Sequence, residues 1–288
     1  MKSGFSLFTI HYSLFTMLSC CPVNHTASIP QPRAVAIIPA RYASTRLPGK
    51  PLLEIAGRAM ILHVLERALA ARNVARAIVA TDDERVLDVV RFAGFEAVMT
   101  RSDHASGSDR LAEVAATLND ADVIVNLQGD EPLVSPKTIE RAVDELLRDE
   151  TAQVITTSEE ITDATDVLSA DVVKVVTDER GRALYFSRSP IPFPREAVRR
   201  YGTLVAALEI EPQLLATFRK HTGLYVYRRA FLLEYTRWPQ SELERTESLE
   251  QLRAMERGAT IKVIEADSPS IGVDTEQDLE RVRKILEA

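Results

Sequence analysis

The sequence has little cysteine, no metal-type histidine spacing, no excess of positive charge and no long apolar run. Each shortage removes a class of function. The two cysteines are the adjacent Cys20 and Cys21, near the N-terminus. They cannot form a disulfide framework for the body of the chain, and a reducing, cytoplasmic setting fits best. The five histidines are scattered, none at metal-ligand spacing with a cysteine, which argues against a zinc site. The formal net charge of −7 argues against a nucleic-acid partner, because such partners need a basic face to replace counterions. The apolar stretch Phe5 to Leu18 is too short and too interrupted, by His11, Tyr12 and several hydroxyl residues, for a membrane span. No stable membrane association is expected.

What is present is ordinary globular material. Hydrophobic residues make up 45% and charged residues 27% of 288 positions, enough for one large core or two modest ones. Residues 1–33 read as an extension outside the fold, ending in the linker-like Ser28 to Arg33. A weak signal-peptide pattern is the alternative, and a disordered or non-native tail is the reading preferred.

From Ala34 the chain alternates strand and helix patterns. Apolar runs at 34–38, 77–80, 97–99 and 123–127 read as strands. Helical spacing covers 60–71, 111–118 and 136–147, the last with proline near its start. Alternation of this kind implies an α/β fold, a mostly parallel sheet flanked by helices, with ligands at the carboxyl ends of the strands. Strand-like segments at 172–176, 183–186 and 222–227 read as part of a smaller inserted lobe, about 172–246, for substrate binding and dimerisation. The chain then returns through a helix at 247–257, a strand at 261–265 and a final helix at 275–286.

Two loops at strand ends carry the chemistry. The loop from Ala40 to Lys50 holds Arg41, Arg46 and Lys50 and no acid, in an acidic protein. Arginine forks and a lysine ammonium suit phosphate oxygens; Ser44 and Thr45 add donors, and Gly49 gives freedom to bring Lys50 inward. The Walker order of residues is absent, so this is a phosphate cradle of another kind. The second loop, Gln128-Gly-Asp-Glu-Pro132, brings Asp130 to the same crevice, with Glu131 a weaker ligand or a turn residue. Asp274 is either a second ligand for a hard cation such as Mg²⁺ or an N-cap, with Gln277 completing a capping-box spacing.

The segments IIPARYASTRLPGKPL, SGSDRLAEV, VIVNLQGDEPL, VKVV, ALYFSRSPIP, HTGLYVYRR, LEQLR and GVDTEQDLERVR together resemble the 3-deoxy-manno-octulosonate (Kdo) cytidylyltransferases, members of the sugar-acid cytidylyltransferase family. The resemblance runs from about Val35 to Arg283. It implies a Rossmann-like nucleotidyltransferase fold, a homodimer, Mg²⁺ as cofactor, and transfer of CMP from CTP to Kdo for lipopolysaccharide assembly. It implies catalytic roles for Arg41, Lys50, Asp130 and Asp274, the two aspartates being metal ligands. It puts CTP against Ala40, Arg41, Lys50, Ser106, Gly107, Asp109 and Arg110. It puts the sugar acid against Gln128, Arg188, His221, Tyr225, Glu250 and Gln251. Ser108 and Asp109 stand where the family commonly has Thr and Glu; Thr222 and Val226 stand where Leu and Gly are common. An amino-substituted Kdo, another sugar acid, or a silent nucleotide-sugar binding module are the alternative readings.

Overall fold

A computed structural model describes Met1 and residues 34–43, 47–104 and 106–287. The expectations for 2–33 and for Ser44, Thr45 and Arg46 therefore lie outside the described residues.

The first strand, β1 (Ala34–Ala40), sets the frame. Its side chains alternate between two buried faces. Ala34, Ala36, Ile38 and Ala40 belong to one core cluster, and Val35 and Ile37 to another. A strand buried on both sides is apolar throughout, as this one is. After a short hairpin, β2 (Glu54–Ile55) with β3 (Arg58–Ala59), come α1 (Met60–Leu69), β4 (Val74–Thr81), α2 (Glu84–Phe92), β5 (Glu96–Met99), α3 (Gly107–Thr117), β6 (Val123–Asn126) and α4 (Pro136–Arg148). On α4, Ile139, Ala142, Val143 and Leu146 are buried at helical spacing against the β1 Ala34 face, together with the apolar stripes of α1 and α2. Each such large aliphatic side chain contributes about 1.5–3 kcal/mol by leaving water. Helix α3 packs on the opposite face through Leu111, Val114 and Ala115.

The second half adds β7 (Val154–Glu160), α5 (Ala164–Leu168), β8 (Lys174–Thr177), β9 (Ala183–Ser187), α6 (Arg195–Tyr201), α7 (Leu204–Ile210), β10 (Arg219–Arg228), α8 (Arg229–Tyr235), α9 (Glu242–Glu247), α10 (Gln251–Glu256), β11 (Ile261–Glu265) and α11 (Glu276–Leu286). The sheet order is β11-β7-β10-β6-β1-β4-β5, with β8 and β9 attached at β10. Strands β6, β1, β4 and β5 are parallel neighbours, as are β7 and β11; β10 runs antiparallel between β6 and β7.

Two expectations need correction. The stretch expected as a separate lobe, about 172–246, contains β10, which lies inside the main sheet between β6 and β7, and β8 and β9, which join that same sheet at β10. The helix expected over 247–257 is the shorter α10, Gln251–Glu256, preceded by a separate α9 that ends at Glu247 because Ser248, with a left-handed φ of 52°, cannot continue it.

The chain fills the sheet outward from β1 to β4 and β5, then crosses back to β6 on the other side of β1. The crevice outside the carboxyl ends of β1 and β6 is thus the switch point, where open α/β sheets place ligands.

Candidate active site

Both chemistry-bearing loops open at that switch point. The loop leaving β1 turns back on itself: Gly49 N donates to Tyr42 O at 3.2 Å, and Lys50 N to Leu47 O at 3.1 Å. Gly49 has φ 70°, a left-handed value that a side chain would strain. This turn starts a short 3-10 helix, Lys50–Leu52, and sends the Lys50 side chain inward.

Lys50 Nζ donates to Asp130 Oδ2 at 2.5 Å and to Asp274 Oδ1 at 2.8 Å. The two aspartates are 144 positions apart in sequence but are tied by the main chain, since Val273 N donates to Asp130 O at 2.9 Å. Burial alone would lower the Lys50 pKa; the two carboxylates outweigh it and hold it above its ordinary value. The N-cap alternative for Asp274 is settled by geometry. Thr275 caps α11 and Asp278 completes the capping box, so neither Asp274 nor Gln277 serves there.

Ala40, Arg41, Lys50, Gly107, Gln128, Asp130 and Asp274 border one cleft of about 380 Å³. The α3 N-terminus, with its partial positive charge, opens onto it at Gly107. Arg41 Nη2 donates to His104 O at 2.9 Å.

A second cleft, of about 480 Å³, shares Gly107 and Gln128 with the first and carries Arg188, Tyr225, Glu250 and Gln251. Three buried polar atoms on its wall residues have no hydrogen-bond partner: Asn126 Oδ1, Glu250 Oε2 and Gln251 Nε2. Buried orphans of this kind each cost about 1–3 kcal/mol, so proteins keep them where something compensates. Arg188 donates from Nε to Glu247 O at 2.7 Å, from Nη1 to Ala170 O at 2.9 Å and from Nη2 to Ser248 O at 3.3 Å. Beneath it Lys174 is fully buried and donates to the Arg188, Ser169 and Val172 carbonyls at 2.6, 2.7 and 2.6 Å. Burial lowers the Lys174 pKa. The segment VKVV assigns this lysine no task; its setting between two valines is the available signal.

Four expected site residues sit elsewhere than in the two clefts. Arg110 is fully buried, with its guanidinium on Asp82 Oδ2 at 2.7 Å and on Thr100 Oγ1, so it braces α3. Ser106 and Asp109 form the α3 capping box, which orients Gly107 toward the cleft. His221 lies behind Tyr225, ring centroids 5.3 Å apart, and contacts Thr156 Oγ1 through Nε2 at 2.9 Å. The Thr156 hydroxyl gives its one hydrogen to Leu224 O at 2.8 Å, so His221 Nε2 carries the proton. Burial pushes the His221 pKa down to about 3, keeping the ring neutral. Glu131, weighed as a weak ligand or turn residue, is pushed up to about 8 by burial and by Asp130 and Glu159. A side chain at Gly223 would meet Glu131 Oε1 at 2.7 Å and Gln128 Cγ at 2.8 Å, so any larger residue on β10 would have to displace those two side chains.

Comparison with known proteins agrees with this geometry. A family model described as cytidylyltransferase matches residues 35–262. The 3-deoxy-manno-octulosonate cytidylyltransferase of Trichlorobacter lovleyi is 52% identical over 87% of this chain and 97% of its own length. That of Geobacter sulfurreducens is 50% identical over 87% of this chain and 98% of its own. A solved structure of CMP:2-keto-3-deoxy-manno-octonic acid synthetase complexed with CTP superposes with a TM-score of 0.79 at 45% identity, covering 88% of this chain and 98% of that one. A 4-diphosphocytidyl-2C-methyl-D-erythritol synthase from Anaerococcus prevotii, 14% identical with a TM-score of 0.55 over 89% of this chain and 99% of its own, shares the fold. The chain belongs to the cytidylyltransferase family, among the 3-deoxy-manno-octulosonate cytidylyltransferases, and is a nucleotidyltransferase of Rossmann-like fold.

Proposed function

We propose that this chain transfers CMP from CTP to the anomeric hydroxyl of Kdo, releasing pyrophosphate. The observation that carries the reading is the junction of the two clefts. One is basic and acidic by turns, the other lined by unpaired polar atoms, and they meet at Gly107 and Gln128.

In the first cleft Arg41, Lys50 and the α3 N-terminus neutralise the triphosphate, with Ala40 and the Ser106–Asp109 turn against the cytidine. Asp130 and Asp274 fit Mg²⁺. Both are hard oxygen donors, and both already reach one cation, the Lys50 ammonium. Bound there, Mg²⁺ would polarise the α-phosphate and make the attacking hydroxyl more acidic. In the second cleft Arg188 spends three of its N–H groups on carbonyls, and of the five a guanidinium carries the remainder suit a carboxylate. Gln128, Glu250 and Gln251 take sugar hydroxyls over the Tyr225 ring, which the neutral His221 backs. Arg110 supports the cytidine side by holding α3 in place.

Reaction follows from placement. The sugar hydroxyl faces the α-phosphorus with pyrophosphate departing on the opposite side, and two anions are held together by neutralised charge. No covalent enzyme nucleophile is needed. Pyrophosphate release should require CTP, Kdo and Mg²⁺ together. Release without sugar acid, or none with all three, would refute the reading. Strong preference for an amino-substituted Kdo in competition would move the substrate to that analogue.

The chain acts as a homodimer in this reading, in the cytoplasm. Leu184, Phe193 and Ile210, within one stretch of sequence, are each more than half exposed, which favours cover by a second copy. Among the described residues no helix is long and apolar enough to cross a membrane. Phe193→Ser should shift the mass in sedimentation from dimer toward monomer.

A further inference from the structure

The Lys50 ammonium lies between the two carboxylates that fit a metal ion. Nζ is 2.5 Å from Asp130 Oδ2 and 2.8 Å from Asp274 Oδ1. Mg²⁺ takes such oxygens at about 2.0–2.1 Å. An ion bridging this pair would therefore occupy nearly the same point as the ammonium. The Lys50 side chain is only 15% exposed, so the repulsion between two cations placed together there is screened less than at an open surface, although Asp274 is 57% exposed.

The geometry points to Lys50 as the resident counter-cation of the Asp130–Asp274 pair, yielding the pair to a divalent ion only when a nucleoside triphosphate draws the ammonium away. The inference rests on the cytidylyl-transfer reading for the identity of that triphosphate. The exchange conserves charge pairing: the ammonium keeps its proton and moves from carboxylate to phosphate oxygens, and the divalent ion takes the carboxylates. Only the flexible four-carbon stem has to move, because the Gly49 turn and the 3-10 helix fix the backbone at Lys50. The same lysine then serves both states, pairing acids first and phosphates afterwards. Metal and nucleotide binding become cooperative, and by linkage each strengthens the other equally. Metal alone is held off, so the aspartate pair does not fill ahead of the nucleotide.

The test is Mn²⁺ binding to the full-length protein at pH 7 without nucleotide or sugar, read from the electron paramagnetic resonance signal of free Mn²⁺. Lys50→Met should bind Mn²⁺ at least about tenfold more tightly than wild type, because a single repelling charge has been removed. Lys50→Gln should do the same, so the result does not hang on one variant, and circular dichroism melting verifies that each is folded. Adding Asp274→Asn to Lys50→Met should return affinity to the wild-type level. Folded Lys50→Met and Lys50→Gln proteins with wild-type Mn²⁺ affinity would overturn the inference. So would a gain in affinity that survives Asp274→Asn. Either result leaves cytidylyl transfer standing, since that is read separately from pyrophosphate release by the wild-type enzyme.

Discussion

The two clefts handle their polar groups in opposite ways. In the first, Lys50, Asp130 and Asp274 satisfy one another through short charge-assisted contacts. In the second, Asn126 Oδ1, Glu250 Oε2 and Gln251 Nε2 are buried without partners, and Arg188 is held by carbonyls. The difference has a physical basis. Two carboxylates facing an ammonium pair with it directly, whereas an orphaned buried polar atom is carried at a cost of about 1–3 kcal/mol. A triphosphate must therefore rearrange the pairs it finds. In the proposed assignment, a sugar acid enters a frame with buried polar atoms that lack partners.

The largest expected effect breaks the first cleft. Asp130→Ala should reduce kcat for pyrophosphate release by about 10³-fold or more, because charge neutralisation of phosphoryl oxygens carries most of such a barrier. The protein should stay folded in a melting scan, as Lys50 retains Asp274 as a partner. Wild-type turnover in that variant would remove the metal role.

Next comes the anchor of the second cleft. Arg188→Lys should raise KM for the sugar acid by about 10–100-fold, because a point charge cannot replace a planar fork. KM for CTP should stay close to wild type. Equal increases in both constants would mean that Arg188 serves only to hold the 247–248 turn.

A smaller effect concerns pH. Burial lowers the His221 pKa to about 3 from its ordinary 6.5, so the folded protein keeps the ring neutral where the unfolded chain protonates it. The stability that this ring confers is complete above pH 6.5 and is lost as pH falls toward 3. His221→Gln should flatten the fall in Tm between about pH 7 and pH 4, since glutamine has no titrating group. An unchanged slope would place the proton uptake elsewhere.

Much of this was readable from the residues. The apolar run of β1 and the stripe on α4 announce burial on two faces and on one face, because side-chain periodicity is fixed by backbone geometry. The basic loop and Asp130 stood out because chemistry and position coincide there. Other features were hidden. Strand β7, Val-Ile-Thr-Thr-Ser-Glu-Glu, buries Thr156, Thr157 and Ser158, so neither apolar alternation nor an apolar run marks it. The Thr156 and Thr157 hydroxyls are satisfied by Leu224 and Thr222 of β10, a pairing that depends on tertiary register. Helix α3 starts at Gly107, four residues before the expected 111, at a capping box formed by Ser106 and Asp109. The break at Ser248 has no local sign, because serine rarely takes left-handed φ. The close fit at Gly223 comes from the side chains of Glu131 and Gln128, over ninety positions away.

The most direct test of the division between clefts is the kinetics of Gln251→Leu. Its Nε2 is a buried donor without a partner, so leucine removes the group while keeping the bulk and should not lower Tm. The account predicts a KM for Kdo raised about tenfold with KM for CTP within about twofold of wild type, as for a site that loses one hydrogen bond to its substrate. A folded Gln251→Leu enzyme with unchanged KM for Kdo would contradict it.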